Sequence, residues 1–472
     1  MKILLLNPPQ SIKQKANPQA WLHNLGVYPP LGLLYLAAYL EKFSDHEVEI
    51  VDAFALQLSG SKLEKYLAAR KYDLVGITCL TFNLSEVIEC IKIVKKITPG
   101  VPVVLGGPHP TIYPRESVNL PGVDFVIVGQ GVQVFKELAD AIEQKRDQMI
   151  PGVVARAGAV SRESYEYQSM DLDSVPFPAR HLIPQDRYYS IVTRKKPMTC
   201  MVTSLGCPYQ CIFCSRPPME KILKSSPPRV VEEVEMCARM GFREIMFWDE
   251  IFTLTRDRVL EITDGFLKRG IKIDWDIRTR VDLVDRELLR QMRKAGCIRI
   301  QYGIESGSDR VLGILQKGFT VERVRNAVRM TRAEGITVSA GFMIGSPGET
   351  REDIIKTIAF ACELDVDYAQ FSITTPIPFT ELYRWAVEKG LFPDYARKYA
   401  RNPTGEFIPL FWEEKINSRE LLKLRDLAYR KFFFRPRYII KNLLKLRSGL
   451  EAKIKIGTGL GLLKEFFRRQ KS

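Results

Sequence analysis

Short apolar runs alternate with longer amphipathic segments through the first 150 residues. The runs at 3–6, 48–51, 74–78, 101–105 and 125–128 predict five strands. Helices are predicted between and after them, near 31–43, 61–70, 84–97, 111–119 and 132–144. Five such βα units with nearly continuous apolar strands predict a doubly wound, flavodoxin-like parallel sheet that is covered by helices on both faces.

A second series of strand and helix patterns begins after residue 190. Helices are predicted near 230–240, 257–269, 286–295, 321–334 and 350–363, with apolar strands between them. This α/β pattern predicts a partial (β/α)6 barrel whose active site faces the carboxyl ends of the strands. The predicted organisation is a Rossmann-like domain at 1–150, a linker at 151–190, a partial TIM barrel at 191–395 and a basic helical C-terminal region at 396–472.

Composition places the chain among soluble globular proteins. Of its 472 residues, 46% are hydrophobic and 26% are charged, close to the averages for that class. No apolar run approaches the roughly 18 residues needed to span a bilayer. The first run ends at Pro8, too early for the apolar part of a secretory signal. We therefore expect a cytoplasmic protein of two or three domains.

The net charge of +15 is concentrated at the C-terminal end. Residues 421–472 contain 15 basic and 3 acidic residues, so this tail carries +12 and the rest of the chain +3. Its aromatic and leucine clusters at 432–434, 443–444 and 462–469 lie among cations. That pattern is typical of a peripheral helix on an anionic membrane surface, here the inner face, and it favours a lipid-like substrate. The alternatives are a tail that caps the open barrel or one that binds RNA, although a nucleic-acid partner is not expected because no RNA module accompanies the charge.

Three loops at the carboxyl ends of the first predicted strands are rich in small or hydrogen-bonding residues. They run from Thr78 to Thr81, from Gly106 to His109 and Pro110, and over 129–131. Glycine allows a large planar or phosphate-bearing ligand to approach the backbone closely. No Gly-x-Gly-x-x-Gly follows the first strand, which disfavours a dinucleotide. The alternative is that these glycines only make tight turns.

Three of the nine cysteines, Cys207, Cys211 and Cys214, lie within one segment of eight residues. The odd count, the chain length and the lack of an export signal indicate reduced or metal-bound cysteines. Close spacing lets one loop hold several corners of an iron-sulfur cube, and three ligands leave one iron open. Structural zinc is the alternative, but it normally needs two pairs of ligands and no second pair lies nearby.

The spacing Cys-x-x-x-Cys-x-x-Cys, with Phe213 before the last cysteine, resembles the radical S-adenosylmethionine (SAM) family. The resemblance implies a 4Fe-4S cluster on Cys207, Cys211 and Cys214, with SAM chelating the fourth iron and Phe213 against its adenine. It also implies SAM contacts at strand ends, from Asp249, Glu250, Arg280, Glu305 and Ser306. The alternatives are that the first two acids are solvated or N-cap groups, and that Arg280 pairs with Asp282 or Glu305.

The N-terminal part resembles the cobalamin-binding domain found in front of many radical SAM enzymes. The matching segments are 28–40, 106–110 and 123–129, although Gly129-Gln130-Gly131-Val132 replaces the family's usual Gly-Glu-Gly-Glu. The chain lacks Asp-x-His-x-x-Gly, so the resemblance implies cobalamin without a protein histidine on cobalt. The candidate cobalamin contacts are Thr78, Thr81, Gly106, Gly107, His109, Gly129, Gln130 and Gly131. A degenerate domain that binds no corrinoid is the alternative.

Together these resemblances imply a cobalamin-dependent radical SAM methyltransferase. One SAM methylates the cobalamin, and a second yields a 5'-deoxyadenosyl radical. This radical takes a hydrogen atom from an unactivated carbon of a lipid-like or other small molecule, and that carbon is then methylated. A low-potential donor such as flavodoxin or ferredoxin would supply the electron. One alternative is a cyclase, oxidase or coupling enzyme that uses the same cofactors without methyl transfer. A cobalamin-binding sensor or carrier is the other, although it would not need an open iron.

Overall fold

The computed structural model describes residues 1–10, 26–146, 148–156, 171–215 and 221–444, and within them the side chains of 441–444 are not described. In chain order the strands up to residue 190 are β1 (Lys2–Asn7), β2 (Gly26–Val27), β3 (Glu47–Asp52), β4 (Leu74–Thr78), β5 (Val103–Gly106), β6 (Phe125–Ile127), β7 (Val153–Ala155) and β8 (Tyr189–Ser190). The helices are α1 (Leu31–Phe43), α2 (Ser61–Ala68), α3 (Leu84–Ile97), α4 (Pro108–Ile112), α5 (Pro114–Val118) and α6 (Gly131–Glu143).

The first sheet has the strand order β3-β1-β4-β5-β6-β7. Its first five strands pair in parallel, and β7 adds an antiparallel edge. This flavodoxin-like order confirms the doubly wound fold. The sheet extends past residue 150 through β7, while the limits of the four predicted domains stay predictions.

Alternation along β1 explains why both faces of the sheet are covered. Ile3 and Leu5 pack with α1 and α6 on one face, and Leu4 and Leu6 pack with α2 and α3 on the other. Successive side chains of a strand point to opposite faces, so a continuous apolar run requires helices on both. Each large side chain buried in this way contributes about 1.5–3 kcal/mol.

The predicted helix at 111–119 is wrong in its bounds. Two short helices, α4 and α5, occupy this stretch, and they meet at Tyr113, whose backbone has φ −127° and ψ 63°. Pro114 disfavours the helical conformation in the residue before it, so the first helix must end there. Each of the two helices starts with proline at its first position, where the missing N–H costs nothing.

The second unit is built from six parallel strands. The strands after residue 190 are β9 (Met198–Met201), β10 (Ser204–Leu205), β11 (Leu223–Lys224), β12 (Glu244–Phe247), β13 (Asp274–Thr279), β14 (Cys297–Glu305), β15 (Thr337–Ile344) and β16 (Tyr368–Ile373). The helices are α7 (Pro227–Arg239), α8 (Arg256–Lys268), α9 (Arg286–Lys294), α10 (Asp309–Ile314), α11 (Val321–Ala333) and α12 (Arg351–Leu364). The order β16-β15-β14-β13-β12-β9 follows the chain, which confirms the partial (β/α)6 barrel.

The chain then continues through α13 (Glu381–Glu388), α14 (Tyr395–Arg401), α15 (Ser418–Phe433) and α16 (Pro436–Leu444). Helix α15 packs on the edge strand β16: the hydroxyl of Tyr429 accepts from the N–H of Phe371 (3.1 Å) and donates to its carbonyl (3.3 Å). Leu421 and Phe432, on the same helix, are fully buried. The described part of the basic tail therefore caps the barrel edge, as one of the alternatives predicted.

The predicted cluster at 462–469, with all of 445–472, lies outside the described residues, and so do the side chains of Leu443 and Leu444. Among the helices that the structure does describe, none is both long and apolar enough to cross a membrane.

Candidate active site

The three clustered cysteines lie in the loop that follows β9 and β10, at the carboxyl end of the barrel. Gly206 begins this loop with φ +97°, a conformation that glycine adopts without strain. Cys207 and Cys211 are partly buried and Cys214 is exposed, while the amide of Cys214 donates to the carbonyl of Cys211 (3.1 Å). All nine cysteines lie in described segments, and none of them forms a disulfide.

The donor set fits a cluster in which each thiolate binds its own iron. Within the described ranges, no three His, Cys, Asp or Glu side chains converge as they would around a single metal ion. A 4Fe-4S cube instead needs thiolates at separate corners, and soft sulfur ligands on one short loop match that requirement.

Asp249 connects the second barrel strand to the start of the cysteine loop. One carboxylate oxygen accepts from the N–H of Thr203 (2.7 Å), and the other accepts from the hydroxyls of Thr203 (2.7 Å) and Ser204 (2.6 Å). Burial raises the pKa of this fully buried carboxyl, and the three hydrogen bonds oppose that shift. The structure thus gives Asp249 the geometry of a group that positions the loop.

Glu250 and Ser306, two of the other predicted SAM contacts, have different surroundings. The side chain of Glu250 is exposed, and nearby protein atoms that displace water raise its pKa, with a further contribution from Asp249. Ser306 is fully buried, and its hydroxyl is 3.1 Å from the hydroxyl of Thr357 on α12. The first side chain is open to a ligand, whereas the second joins a strand end to a helix.

Arg280 contacts the cysteine loop from the third barrel strand. Its guanidinium makes two hydrogen bonds of 2.9 Å to the carboxylate of Asp282 and lies 3.6 Å from the ring centre of Tyr209, inside the cysteine motif. Of the two partners that the sequence left open for Arg280, Asp282 and Glu305, the structure therefore contains the ion pair with Asp282. A planar cation fixed by a carboxylate on its edge and a ring on its face holds Tyr209 rigidly.

Lys317 is a site residue that the sequence analysis missed. Its ammonium lies 3.2 Å from the carboxylate of Glu305 and 5.6 Å from the ring centre of Phe213. Glu305 has φ +72°, an uncommon value for a residue other than glycine. The backbone carbonyl of Gln316, the residue before Lys317, is 3.8 Å from the sulfur of Cys211. No signal in the sequence places the loop after α10 beside the cysteines, since that depends on the fold.

The second candidate region is an open cleft between the first sheet and the barrel. Its empty space, including the part that is open to solvent, is about 1260 Å³. From the first sheet it is lined by residues predicted as cobalamin contacts, namely Thr78, Gly106, Gly107, Gly129, Gln130 and Gly131. From the barrel side it is lined by Val202, Leu205 and Arg229, which the sequence analysis did not name. The cleft thus lies between the predicted cobalamin contacts and the part of the barrel from which the cysteine loop starts, and its lining does not include the cysteines themselves.

Two of the glycines explain how the cleft stays open. A side chain at Gly106 would meet nothing within 4 Å, so the space above it is free for a ligand. Gly107 has φ +102°, and a Cβ there would lie 3.0 Å from the carbonyl oxygen of Cys79 and 3.2 Å from the hydroxyl of Thr78. A large planar group such as a corrin fits this cradle because the backbone itself forms its wall.

Two predicted cobalamin contacts, Thr81 and His109, are not among the residues that line the cleft, and His109 is fully buried. Its Nδ1 is 3.0 Å from the hydroxyl of Thr81, whereas its Nε2 has no hydrogen-bond partner among the described residues. Burial lowers the pKa of His109 to about 4, so the ring is neutral at physiological pH. A buried nitrogen of this kind normally has a hydrogen-bond partner, such as an ordered water.

Two known families match the chain. The B12 binding domain family matches residues 23–139, and the Radical SAM superfamily matches residues 201–361. The first match contains all the predicted cobalamin contacts. The second contains all three clustered cysteines and every predicted SAM contact.

Curated relatives extend these matches over most of the chain. An uncharacterized methyltransferase of Pyrococcus horikoshii is 34% identical, over 94% of this chain and 95% of that protein. The anaerobic magnesium-protoporphyrin IX monomethyl ester cyclase of Rubrivivax gelatinosus is 29% identical, over 88% of this chain and 75% of that protein.

A solved structure also has the same fold. It is the radical SAM methyltransferase TsrM of Kitasatospora setae, with cobalamin and a 4Fe-4S cluster bound. It has a TM-score of 0.67 and 22% sequence identity, and the superposition covers 82% of this chain and 78% of that chain.

Proposed function

The chain belongs to the cobalamin-dependent radical SAM methyltransferase family, and on that premise we propose that it transfers a methyl group to an unactivated carbon of a small molecule. The cofactors of this family are cobalamin, a 4Fe-4S cluster and SAM. The observation that carries the proposal is the shared cleft. Residues of the first sheet, such as Gly106 and Gly129, and residues of the barrel, such as Val202 and Leu205, line one space.

The bound cofactors would supply radical formation and methyl transfer, and the protein would position them and exclude water. In this proposal Cys207, Cys211 and Cys214 bind three irons of the cluster. Asp249 fixes the start of their loop, and Arg280 fixes its middle through Tyr209. Because Asp249 is buried and Arg280 stacks on Tyr209, these contacts would keep the shape of the loop when ligands enter and leave.

Other residues of this chain would hold SAM and cobalamin. We assign Phe213 and the Lys317–Glu305 pair to SAM, since the ammonium of Lys317 lies near both Glu305 and the Phe213 ring, which is part of the cysteine motif. The glycines at 106, 107, 129 and 131, together with Thr78 and Gln130, would form the wall against the corrin. Thr81 and His109 would support that wall without a bond to cobalt.

The atom balance of the proposed reaction sets the products to be measured. Two molecules of SAM and two electrons would be consumed for each methyl group transferred, one electron to cleave SAM and one to restore the cobalamin after the substrate radical has taken its methyl group. One SAM becomes S-adenosylhomocysteine after losing its methyl group. The other accepts an electron and is cleaved to methionine and the 5'-deoxyadenosyl radical, which takes a hydrogen atom from the substrate and leaves as 5'-deoxyadenosine.

The partners follow from this chemistry. Enzymes of this superfamily act on small molecules and need a reductant. We propose a low-potential flavodoxin or ferredoxin as the electron donor. Two expectations from the sequence, a lipid-like substrate and a cytoplasmic location, stay predictions. Contact of the basic tail with the inner membrane face also stays a prediction, because most of that tail lies outside the described residues.

A substitution in the cysteine loop tests the proposal. We expect the Cys211→Ala variant, reconstituted anaerobically with iron, sulfide and cobalamin, to form no 5'-deoxyadenosine from SAM and a strong reductant. Cys362→Ala is the matched control, because this partly buried cysteine lies on α12, outside the site, and should behave as the wild type. Equal 5'-deoxyadenosine from Cys211→Ala and wild type would contradict the assignment.

A second candidate function is radical cyclisation, oxidation or coupling without methyl transfer. It is favoured by the likeness to the cyclase of Rubrivivax gelatinosus. Such an enzyme would form 5'-deoxyadenosine with its substrate but no S-adenosylhomocysteine, so the two products separate the candidates. A sensor or carrier, the remaining alternative, would form neither.

A further inference from the structure

The interior of the barrel carries a layer of polar side chains that the roles above do not use. Along β13 to β16, alternate residues face the helices and are buried, as Trp275 and Ile277 are. The residues between them face the interior of the barrel, because successive strand residues point to opposite faces. On β13 these are Asp274, Asp276 and Arg278.

The strand register sorts the inward residues into layers. Parallel pairing places Arg278 beside Gln301 on β14, and Gln301 beside Ser339 on β15. One layer deeper, Asp276 pairs in the same way with Arg299. Residues paired in this manner share a face, so they form stacked rings inside the barrel.

Of the arginines on or just after these strands, Arg278 alone is unpaired. Arg299 forms an ion pair with Asp276, and Arg280 forms one with Asp282. The side chain of Arg278 is exposed and makes no hydrogen bond or salt bridge to any residue that the structure describes. The carboxylates of Asp276 and Glu250 are near enough for the charge of Arg278 to lower their pKa values, but neither of them accepts a hydrogen bond from it. Its N–H donors therefore remain available to an anion, for which a planar fork of donors is suited.

Trp248 supplies a second unpaired donor beside it. The guanidinium carbon of Arg278 is 5.9 Å from the Trp248 ring centre, and the indole N–H is buried with no acceptor among the described residues. Buried donors in native proteins nearly always have a partner, so an orphaned one calls for an acceptor that a ligand would bring. Trp248 also contacts Tyr28 of the first unit, with ring centres 5.2 Å apart.

The layer directly above this one is open on one side. The next inward positions are Gly303 and Gly341, which pair with each other. At Gly341 a Cβ would meet only the carbonyl of Tyr302, at 3.9 Å. At Gly303, by contrast, a Cβ would lie 2.6 Å from the carboxylate of Glu305 and 3.5 Å from the ammonium of Lys317. The Lys317–Glu305 pair therefore covers Gly303, and the open position of this layer is the one over Gly341.

We propose that Arg278 and Trp248 bind an anionic group of the substrate, a carboxylate or a phosphoryl group, with Gln301 and Ser339 as further hydrogen-bonding partners. This inference rests on the proposed function and names the substrate class of that same site. Anchored at this layer, the rest of the substrate extends over Gly341 towards the Lys317–Glu305 pair. Arg278 is thus a specificity-determining residue on the side of the barrel that faces the first unit.

The experiment uses the full-length, reconstituted protein with cobalamin, SAM and reductant. A small-molecule and lipid extract of cells that encode the protein is divided by anion exchange into a retained and an unretained fraction. We measure the increase in S-adenosylhomocysteine and 5'-deoxyadenosine that each fraction causes. The wild type should respond to the retained fraction. For Arg278→Gln, the concentration of extract needed for a half-maximal rate should rise at least about tenfold.

Three comparisons keep the test decisive. Arg278→Lys retains the charge and should keep part of the response. Arg243→Gln is the matched control, because Arg243 is exposed just before β12, at the amino end of the barrel, and should respond as the wild type. The fraction test on wild type alone needs no variant, so it stands even if a substitution impairs folding.

The outcomes separate this inference from the proposed function. A wild type that forms 5'-deoxyadenosine but responds only to the unretained fraction, or to neither fraction, overturns the anionic substrate and leaves the radical chemistry in place. An Arg278→Gln response equal to that of the wild type also overturns it. Absence of 5'-deoxyadenosine from a preparation with verified iron content contradicts the proposed function itself.

Discussion

Replacing Asp249 with alanine should destabilise the protein and impair cluster assembly together. The carboxylate accepts three hydrogen bonds, from the amide and hydroxyl of Thr203 and the hydroxyl of Ser204. Bonds to a charged group contribute about 1.5–3 kcal/mol each, and an unsatisfied buried donor costs about 1–3 kcal/mol. The low end applies here because burial of the carboxylate offsets part of the gain, as its raised pKa shows. We expect a loss of about 4 kcal/mol.

The assay is urea unfolding of the apoprotein, followed by measurement of iron and sulfide bound after reconstitution. Asp249→Asn keeps an oxygen for the Thr203 amide and should lose about 2 kcal/mol, half of the alanine effect. Glu250→Gln, a change at the exposed neighbouring carboxylate, is the control for stability and should stay within about 0.5 kcal/mol of wild type. A loss below about 1 kcal/mol for Asp249→Ala, with full iron content, would refute the reasoning.

Three further predictions concern other parts of the molecule. Arg280→Lys removes the two-point contact with Asp282 and the stacking on Tyr209. The variant should lose about 1–2 kcal/mol of unfolding free energy in urea and should incorporate less iron. An unchanged iron content would contradict this prediction. Tyr429→Phe removes the hydroxyl that satisfies the edge strand at Phe371 and should cost about 1–2 kcal/mol without changing bound iron or corrinoid. The pKa of His109 falls from 6.5 to about 4 on folding, so the unfolded chain takes up the proton first and about 3 kcal/mol of stability is lost as the pH falls from 6.5 to 4. His109→Phe should flatten that part of the stability profile, and an unchanged slope would show that other groups cause it.

Local patterns predicted the elements of the fold well. Helices α1 and α3 have the bounds expected from the sequence, at 31–43 and 84–97. Each of these helices begins after a proline or a loop residue and ends at the next turn, so the spacing of its apolar residues is enough to predict its bounds. The antiparallel strand β7 was missed, because a run of three residues gives too little periodicity to recognise.

The site was predicted less completely, for physical reasons. The cysteine spacing is local, so one segment contains the whole signal. Lys317 and Trp248 join the site only through loop packing and strand register, which a single sequence does not encode locally. Charge pairing is similar: the sequence left two partners open for Arg280, and only the packed structure selects Asp282.

The central claim is that cobalamin and the cluster serve one methyl transfer, and isotope tracing tests it most directly. Reconstituted wild type is supplied with cobalamin, reductant, cell extract and SAM that carries a trideuterated methyl group, and all products are analysed by mass spectrometry. The account predicts a new compound that contains the labelled methyl group and forms together with S-adenosylhomocysteine and 5'-deoxyadenosine, all of which disappear in Cys211→Ala. Formation of 5'-deoxyadenosine with a changed but unlabelled product, and without S-adenosylhomocysteine, would contradict methyl transfer.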